Sequence, residues 1–253
     1  GSKEGIVEEI AEKGGEMEST SSDGQACINR WIKLSEHLED VMDEMGNLCE
    51  GIGGNLGPFA QILRTASFYH DIGKAHHVFQ TVMRERGAPD METLWAKSGT
   101  DGPLKYERRY FRHELASALT LLSAPEILQE FEEWEIDLIT YLVGAHHGKV
   151  RDLVRSMPDE DPPSDGGERR YAMGIWDGDQ IPKIELIDGR IIPETVLSLA
   201  PMEIGISENG NKSWIQMCND LKSRKNLGIF RIAYLESLLR VADWRASAKE
   251  EVE

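Results

Sequence analysis

Apolar residues recur along most of this chain with the three-to-four-residue spacing of helices that bury one face. In the segment beginning at Cys27, Leu34, Leu38, Val41, Met42, Met45 and Leu48 form one stripe. The run "GIGGNLG" breaks it, and Phe59, Ile62, Leu63, Ala66 and Tyr69 start a second stripe from about Pro58. Further helices are predicted at 111–124, 131–146 and 228–248. The fold class is therefore mostly α, a helical bundle. Residues 150–227 depart from the pattern. There "SMPDEDPPSDGGERR" is loop chemistry, and "IPKIELIDGRIIPETVLSL" sets β-branched residues on both sides of Asp188-Gly189, a hairpin signal. An inserted β-hairpin and loop region is expected at about 150–227, closed by a short helix around "SWIQMCNDLKS". Residues 1–26 are acidic and rich in Gly and Ser, and read as a flexible lead or linker, which leaves 27–253 as one domain.

Polar groups stand at the inner ends of several predicted helices. Counting on from Phe59 brings His70 onto the inward face of the second helix, with Asp71 about 100° further round. Burying an imidazole and a carboxylate is costly unless something pairs them. A metal ion is one such partner, and a hydrogen-bonded core His-Asp pair is the other. His146 continues the stripe of Ile139, Leu142 and Val143, and His147 follows it directly before Gly148, a natural helix stop. Asp243 lies in line with Ile232, Leu235 and Leu239, and His37 flanks Leu34 and Val41. His113 instead opposes Leu115, Leu119 and Leu122 and shares its face with Ala116, Ser117 and Thr120, a face that is either solvated or set close against a cleft. Imidazole and carboxylate groups repeated at inner helix ends suit one shared metal cluster.

A chain of 253 residues can bury a full core. Its three cysteines, Cys27, Cys49 and Cys218, form no CxxC pair, so neither a disulfide framework nor a thiolate zinc site is indicated, and a reducing cytoplasm fits best. No apolar run reaches the length needed to span a bilayer. The formal charge of −17 argues against a nucleic-acid partner until its distribution is considered. Residues 1–50 hold 13 acidic against 4 basic side chains, more than half of the excess, whereas "KYERRYFRHE", "GKVR" and "DWRASAK" are basic clusters. Net charge therefore decides little.

The order H…HD…H…HH…D is the pattern of the HD phosphohydrolase superfamily. More narrowly, "LSEHLEDV", "HDIGKAHHVFQ", "RHELASAL", "GAHHGKVR" and "LLRVADWRAS" resemble successive motifs of the HD nuclease domain of the type I CRISPR-associated helicase-nuclease. The match runs from about Trp31 to Ala248, outside most of the insertion. The resemblance implies a metal-dependent nuclease cutting single-stranded DNA, with His37, His70, Asp71, His113, His146, His147 and Asp243 as ligands. Seven ligands exceed the needs of one four-coordinate ion. Two divalent ions sharing Asp71 would use them all, one held by His37, His70, Asp71 and Asp243, the other by Asp71, His113, His146 and His147. Such mixed ligation suits Fe, Mn, Co or Ni, with Zn or Mg possible.

The sequence holds no GxxxxGK[ST] loop, so a helicase module would lie in another chain or segment, alongside a Cascade-like effector complex. Catalytic roles are expected for Asp71 and for Lys74, one helical turn beyond His70 provided the helix persists through Gly73. Arg109, Arg112, Lys149, Arg151 and Arg245 flank the ligand motifs and are expected to guide a DNA strand, and Ser247 to touch a ligand or phosphate. Trp244 and Trp176 are candidates for base stacking, although Trp244, within the last helix, is expected rather in the core. His76 and His77 are expected to be partly exposed and outside the site. Two other readings remain open at this point: an HD phosphohydrolase of small or cyclic nucleotides, and an inactive docking module of a CRISPR effector complex.

Overall fold

Leu34, Leu38, Val41 and Met45 are fully buried, and they give helix α1 (Leu34–Ile52) the inward face that their spacing predicts. In the computed structural model the described residues are 30–251, except 54–55, 101, 166–167 and 206–211. The expected acidic lead at 1–26 lies outside them. Upstream of α1, Ile32–Lys33 is a short strand, β1, rather than part of the helix. It pairs antiparallel with β2 (Trp95–Lys97).

Helix α2 (Phe59–Tyr69) buries Ile62, Leu63 and Ala66 against α1. It then stops. A 3₁₀ turn at Ile72–Ala75 follows, and a further helix, α3 (His77–Glu85), begins at once. The sequence reading had no separate helix here, because the single run "YHDIGKAHHVFQ" crosses a change of helical type. Helices α4 (His113–Ser123) and α5 (Glu133–Ala145) complete the middle of the bundle, the latter opened by a reciprocal capping box between Glu132 and Glu135. Every residue of α4 from His113 to Leu121 is buried. The face carrying Ala116 and Ser117 is thus a packing surface: it lies against the 72–75 turn, and the Gly73 N–H donates to Ser117 Oγ at 2.8 Å. Helix α6 (Trp214–Ser223) closes the insertion as expected, and α7 (Gly228–Glu250) follows it and packs on α1 and α2. None of the described helices is long and apolar enough to cross a membrane.

The insertion holds three antiparallel strand pairs rather than the single hairpin expected. β3 (Tyr171–Ala172) and β4 (Ile175–Trp176) are joined by Met173 and Gly174, both with positive φ (52° and 72°), the signature of a type I′ turn. β5 (Gln180–Ile181) pairs with β8 (Thr195–Val196), and between them β6 (Ile184–Glu185) pairs with β7 (Ile191–Ile192). The predicted Asp188-Gly189 turn is present in longer form. Gly189 N–H donates to Leu186 O and Leu186 N–H to Arg190 O, both at 3.0 Å, with Gly189 at φ 84°, a three-residue loop ending in a glycine bulge. The β3–β4 turn presses on the chain entering α4: Arg112 N–H donates to Met173 O at 3.0 Å, and a Cβ on Gly174 would fall 2.4 Å from Phe111 Cα. The insertion therefore buttresses the approach to His113.

A methyl group at Gly73 would lie 2.0 Å from His113 O and 2.6 Å from Ser117 N, both backbone atoms. Gly73→Ala is expected to destabilise the chain by about 3 kcal/mol through overpacking. For a chain of this size that is a fall in Tm of roughly 6–12 °C in a thermal melt. An unchanged Tm would mean that α4 and the 72–75 turn are not in the contact described.

Candidate metal centre

Asp71 stands where α2 gives way to the 3₁₀ turn, at φ −112° and ψ 11°, and this break aims its carboxylate into the space between α1, α4, α5 and α7. Oδ2 lies 3.2 Å from His37 Nε2 on α1 and 3.3 Å from His70 Nε2. Asp243 Oδ1, on α7, closes that side at 3.7 Å from His37 Nε2 and 3.9 Å from His70 Nε2. Oδ1 of Asp71 faces the other way, 3.1 Å from His113 Nε2 and 3.5 Å from His146 Nε2. His147 Nε2 is 3.1 Å from His113 Nε2. The seven predicted ligands therefore meet in two sets, His37, His70 and Asp243 on one side of Asp71, and His113, His146 and His147 on the other. Within each set, the donor atoms all lie within 4.8 Å of one another.

The hydrogen bonds around the rings fix which nitrogens face inward. His70 Nδ1 is 2.7 Å from Ser67 O, and His146 Nδ1 is 2.7 Å from Val143 O. A carbonyl oxygen only accepts, so in both rings the proton sits on Nδ1 and the Nε2 lone pair points at the carboxylate oxygens. Both Nε2 atoms are buried without a well-aligned hydrogen bond. Burial also pulls the His70 pKa down, its largest influence, which outweighs the pull of Asp71 toward the charged form. A neutral lone pair facing a buried carboxylate is repulsive unless a cation lies between them. The donor set fits that cation: imidazoles and carboxylates, with no thiolate, suit a borderline divalent metal. Burial opposes ionisation of Asp71, yet the Lys74 ammonium and the hydrogen bond with His113 outweigh it and hold the carboxyl well below its ordinary range. Burial beside His146 and His113 holds His147 well below the ordinary imidazole value, so it too is a neutral donor.

Over residues 19–252 the chain matches the family described as "Cas3, HD domain". It belongs to that family. No curated protein and no solved structure matches it at a significant level. Membership makes it a CRISPR-associated HD nuclease by family, and the helical bundle is the HD fold.

Several residues are placed otherwise than the Cas3 HD motifs led us to expect. Lys74 does not continue α2. The 3₁₀ turn folds its Nζ back to 2.7 Å from Asp71 Oδ2, among the predicted ligands. Arg112 is buried, which corrects the expectation that it lines a strand path, whereas Ser247, also buried, reaches the predicted ligand Asp243 with its hydroxyl at 3.4 Å from Oδ1. Arg151 is held by Glu236 at 2.6 Å, Arg245 by Glu44 at 2.8 Å and Arg109 by Asp159 at 3.6 Å. Lys149 is exposed beside His147, the one ligand of the seven that is not buried. Trp244 is not core: it is 52% exposed, because it sits on the flank of α7 while Asp243 turns inward.

His76 is also corrected. It is fully buried and 3.1 Å from Asp179 of the insertion, where with His77 it forms a third cluster of metal-type donors. That cluster already contains its cation. The Arg108 guanidinium lies 2.6 Å from Asp179 Oδ2 and 3.0 Å from His77 Nε2, stacked 3.6 Å above the Trp176 ring. Burial beside His76 and Arg108 lowers the His77 pKa to about 4, so its ring accepts from the arginine. We therefore read this cluster as the clamp between the insertion and the Asp71 turn. Trp176 is covered by that stacking rather than open to a base. Sequence reasoning also missed Lys97 and Glu250, both buried behind the set of His37, His70 and Asp243, since neither interrupts a predicted inward stripe.

Burial works against ionisation of Asp179, but hydrogen bonds from His76 and Arg108 hold its carboxyl far below its ordinary 3.8. The stability this supplies is present above that ordinary value and is lost as pH falls below it. Asp179→Asn is expected to cost about 3 kcal/mol at pH 7, since it leaves Arg108 without its carboxylate. Its melting curves should approach the wild type as the pH is lowered below 4. A constant gap between the two proteins across that range would rule out the clamp.

Proposed function

We propose that this Cas3 HD domain is a divalent-metal-dependent nuclease that cuts single-stranded DNA in type I CRISPR interference. It would work in the cytoplasm with a helicase module in another chain or segment and a Cascade-like effector complex. One observation carries the reading: each oxygen of Asp71 faces a separate set of donors, 3.1–3.5 Å away, with imidazole lone pairs directed at a buried carboxylate. His37, His70, Asp71 and Asp243 would hold one ion, and Asp71, His113, His146 and His147 the other. Two divalent ions bound there supply Lewis acidity toward a phosphodiester and lower the pKa of water.

The chain's own groups define the remaining chemistry. Asp71 ties the two sets to one rigid backbone position. Lys74, buried beside it, presents a fixed positive charge where a scissile phosphate would gather negative charge. Water attacks phosphorus, the P–O bond to the leaving strand end breaks, and that oxygen takes a proton. A strand reaching the set through half-buried His147 would pass exposed Lys149 on one side. On the other it would pass Arg240, whose Nε donates to His146 O at 3.0 Å, and the open ring of Trp244 one helical turn further on α7. An exposed tryptophan beside cationic groups is the usual platform for bases of a single strand, where stacking is worth about 1–3 kcal/mol per base.

Circular single-stranded DNA incubated with metal-stripped protein plus Mn²⁺ or Ni²⁺ tests this. Linearisation is expected, with none in the presence of chelator. Asp71→Ala is expected to abolish cleavage, and Trp244→Ala to reduce it about ten-fold or more through a raised KM. Hydrolysis of free or cyclic nucleotides without DNA cutting would overturn the proposal, as would cleavage that survives Asp71→Ala.

A further inference from the structure

The strongest unassigned feature is a buried ion pair behind the first ligand set. Glu250 ends α7 and Lys97 ends β2, and both are almost wholly buried. Glu250 Oε1 is 2.9 Å from His37 Nδ1, and Oε2 is 2.6 Å from Lys97 Nζ. Lys97 Nζ also donates to Ser247 Oγ at 2.6 Å, and Ser247 Oγ in turn reaches Asp243 Oδ1 at 3.4 Å. One lysine-glutamate pair thus touches the back of His37 and, through one hydroxyl, the back of Asp243.

We propose that Lys97 and Glu250 are positioning residues for one of the two metal sites, that of His37, His70 and Asp243. The inference rests on the metal-ligand reading above and adds to it. His70 and His146 each stand at a helix C-terminus, where the carbonyl three residues earlier is free to take the Nδ1 proton. His37 lies in the first turn of α1, where the nearby carbonyls are already engaged in the helix. It draws its orienting acceptor from the far end of the chain instead. A carboxylate in this role holds the proton on Nδ1, frees the Nε2 lone pair for the metal and makes the ring a stronger donor than a carbonyl would. Lys97 pairs with the second Glu250 oxygen and so fixes the carboxylate behind His37, and its other hydrogen bond fixes the Ser247 hydroxyl toward Asp243. On the other side of Asp71 the carboxylate nearest a ring's outer nitrogen is Glu114, whose Oε2 is 3.8 Å from His113 Nδ1, too far for the hydrogen bond that Glu250 makes to His37, so the effect is expected on the first set.

A pair whose role was only to hold β2 against α7 would change the stability of metal-free protein and leave both metal affinities alike. Calorimetric titration of the metal-stripped chain with Mn²⁺ separates the two. The wild type is expected to take up two ions. Glu250→Ala is expected to weaken one of them by about 10–100-fold and leave the other within a factor of two or so. Glu250→Gln keeps the shape and an acceptor for Nδ1–H, and it guards against the alanine variant failing to fold. It is expected to weaken the same ion by a smaller factor. Wild-type affinity for both ions in Glu250→Gln and in any folded Glu250→Ala protein, with only the melting temperature lowered, would overturn the proposal. A wild type that takes up no Mn²⁺ at all would overturn the metal reading itself, a distinct result.

Discussion

The Asp71 carboxylate is the point on which the rest of this structure depends. It is a buried anion whose two oxygens face opposite sets of imidazoles, and nothing about its surroundings is tolerable without positive charge. Lys74 supplies some of that charge from the next turn, and protonated imidazole or bound metal must supply the remainder. The local backbone serves this demand. Helix α2 ends at Tyr69, the 3₁₀ turn swings Lys74 back, and Gly73 lets α4 approach so closely that a Cβ could not be accommodated. Each departure from regular helix in "HDIGK" therefore has a consequence at one carboxylate.

The periphery is organised around holding that arrangement still. Behind the first ligand set, Glu250 and Lys97 connect the last helix to the β2 strand and to His37. Beside the second, the insertion grips the chain before His113 through Met173 and Gly174, and grips the turn after Asp71 through Asp179, His76 and Arg108. Residues 150–227 thus have a structural role at the centre although they contribute none of the seven ligands. Six of these seven side chains are buried, and His147 alone is partly open, next along the chain to exposed Lys149.

Much of this was legible in sequence wherever an inward stripe was clear. His70, His146 and Asp243 extend apolar periodicities, and their burial follows from the same spacing that buries Leu63, Leu142 and Leu239. His113 was ambiguous because α4 is buried on all sides, so no polar face exists against which to orient it. Lys97, Glu250 and His76 were not legible. Their partners lie 150 or more residues away for the first pair and about 100 for the last, and a charged residue in a strand or a final helical turn ordinarily reads as solvated. Trp244 failed for the opposite reason: size predicts burial, but its helical position, one residue beyond an inward aspartate, predicts the flank. Angular position was the better guide.

The most direct test of the account is anomalous diffraction at the manganese edge from crystals of the chain grown with Mn²⁺. The account predicts two peaks, one on each side of Asp71, the first among His37, His70 and Asp243 and the second among His113, His146 and His147. A single peak, or peaks that leave the Asp71 carboxylate outside coordination distance, would contradict it.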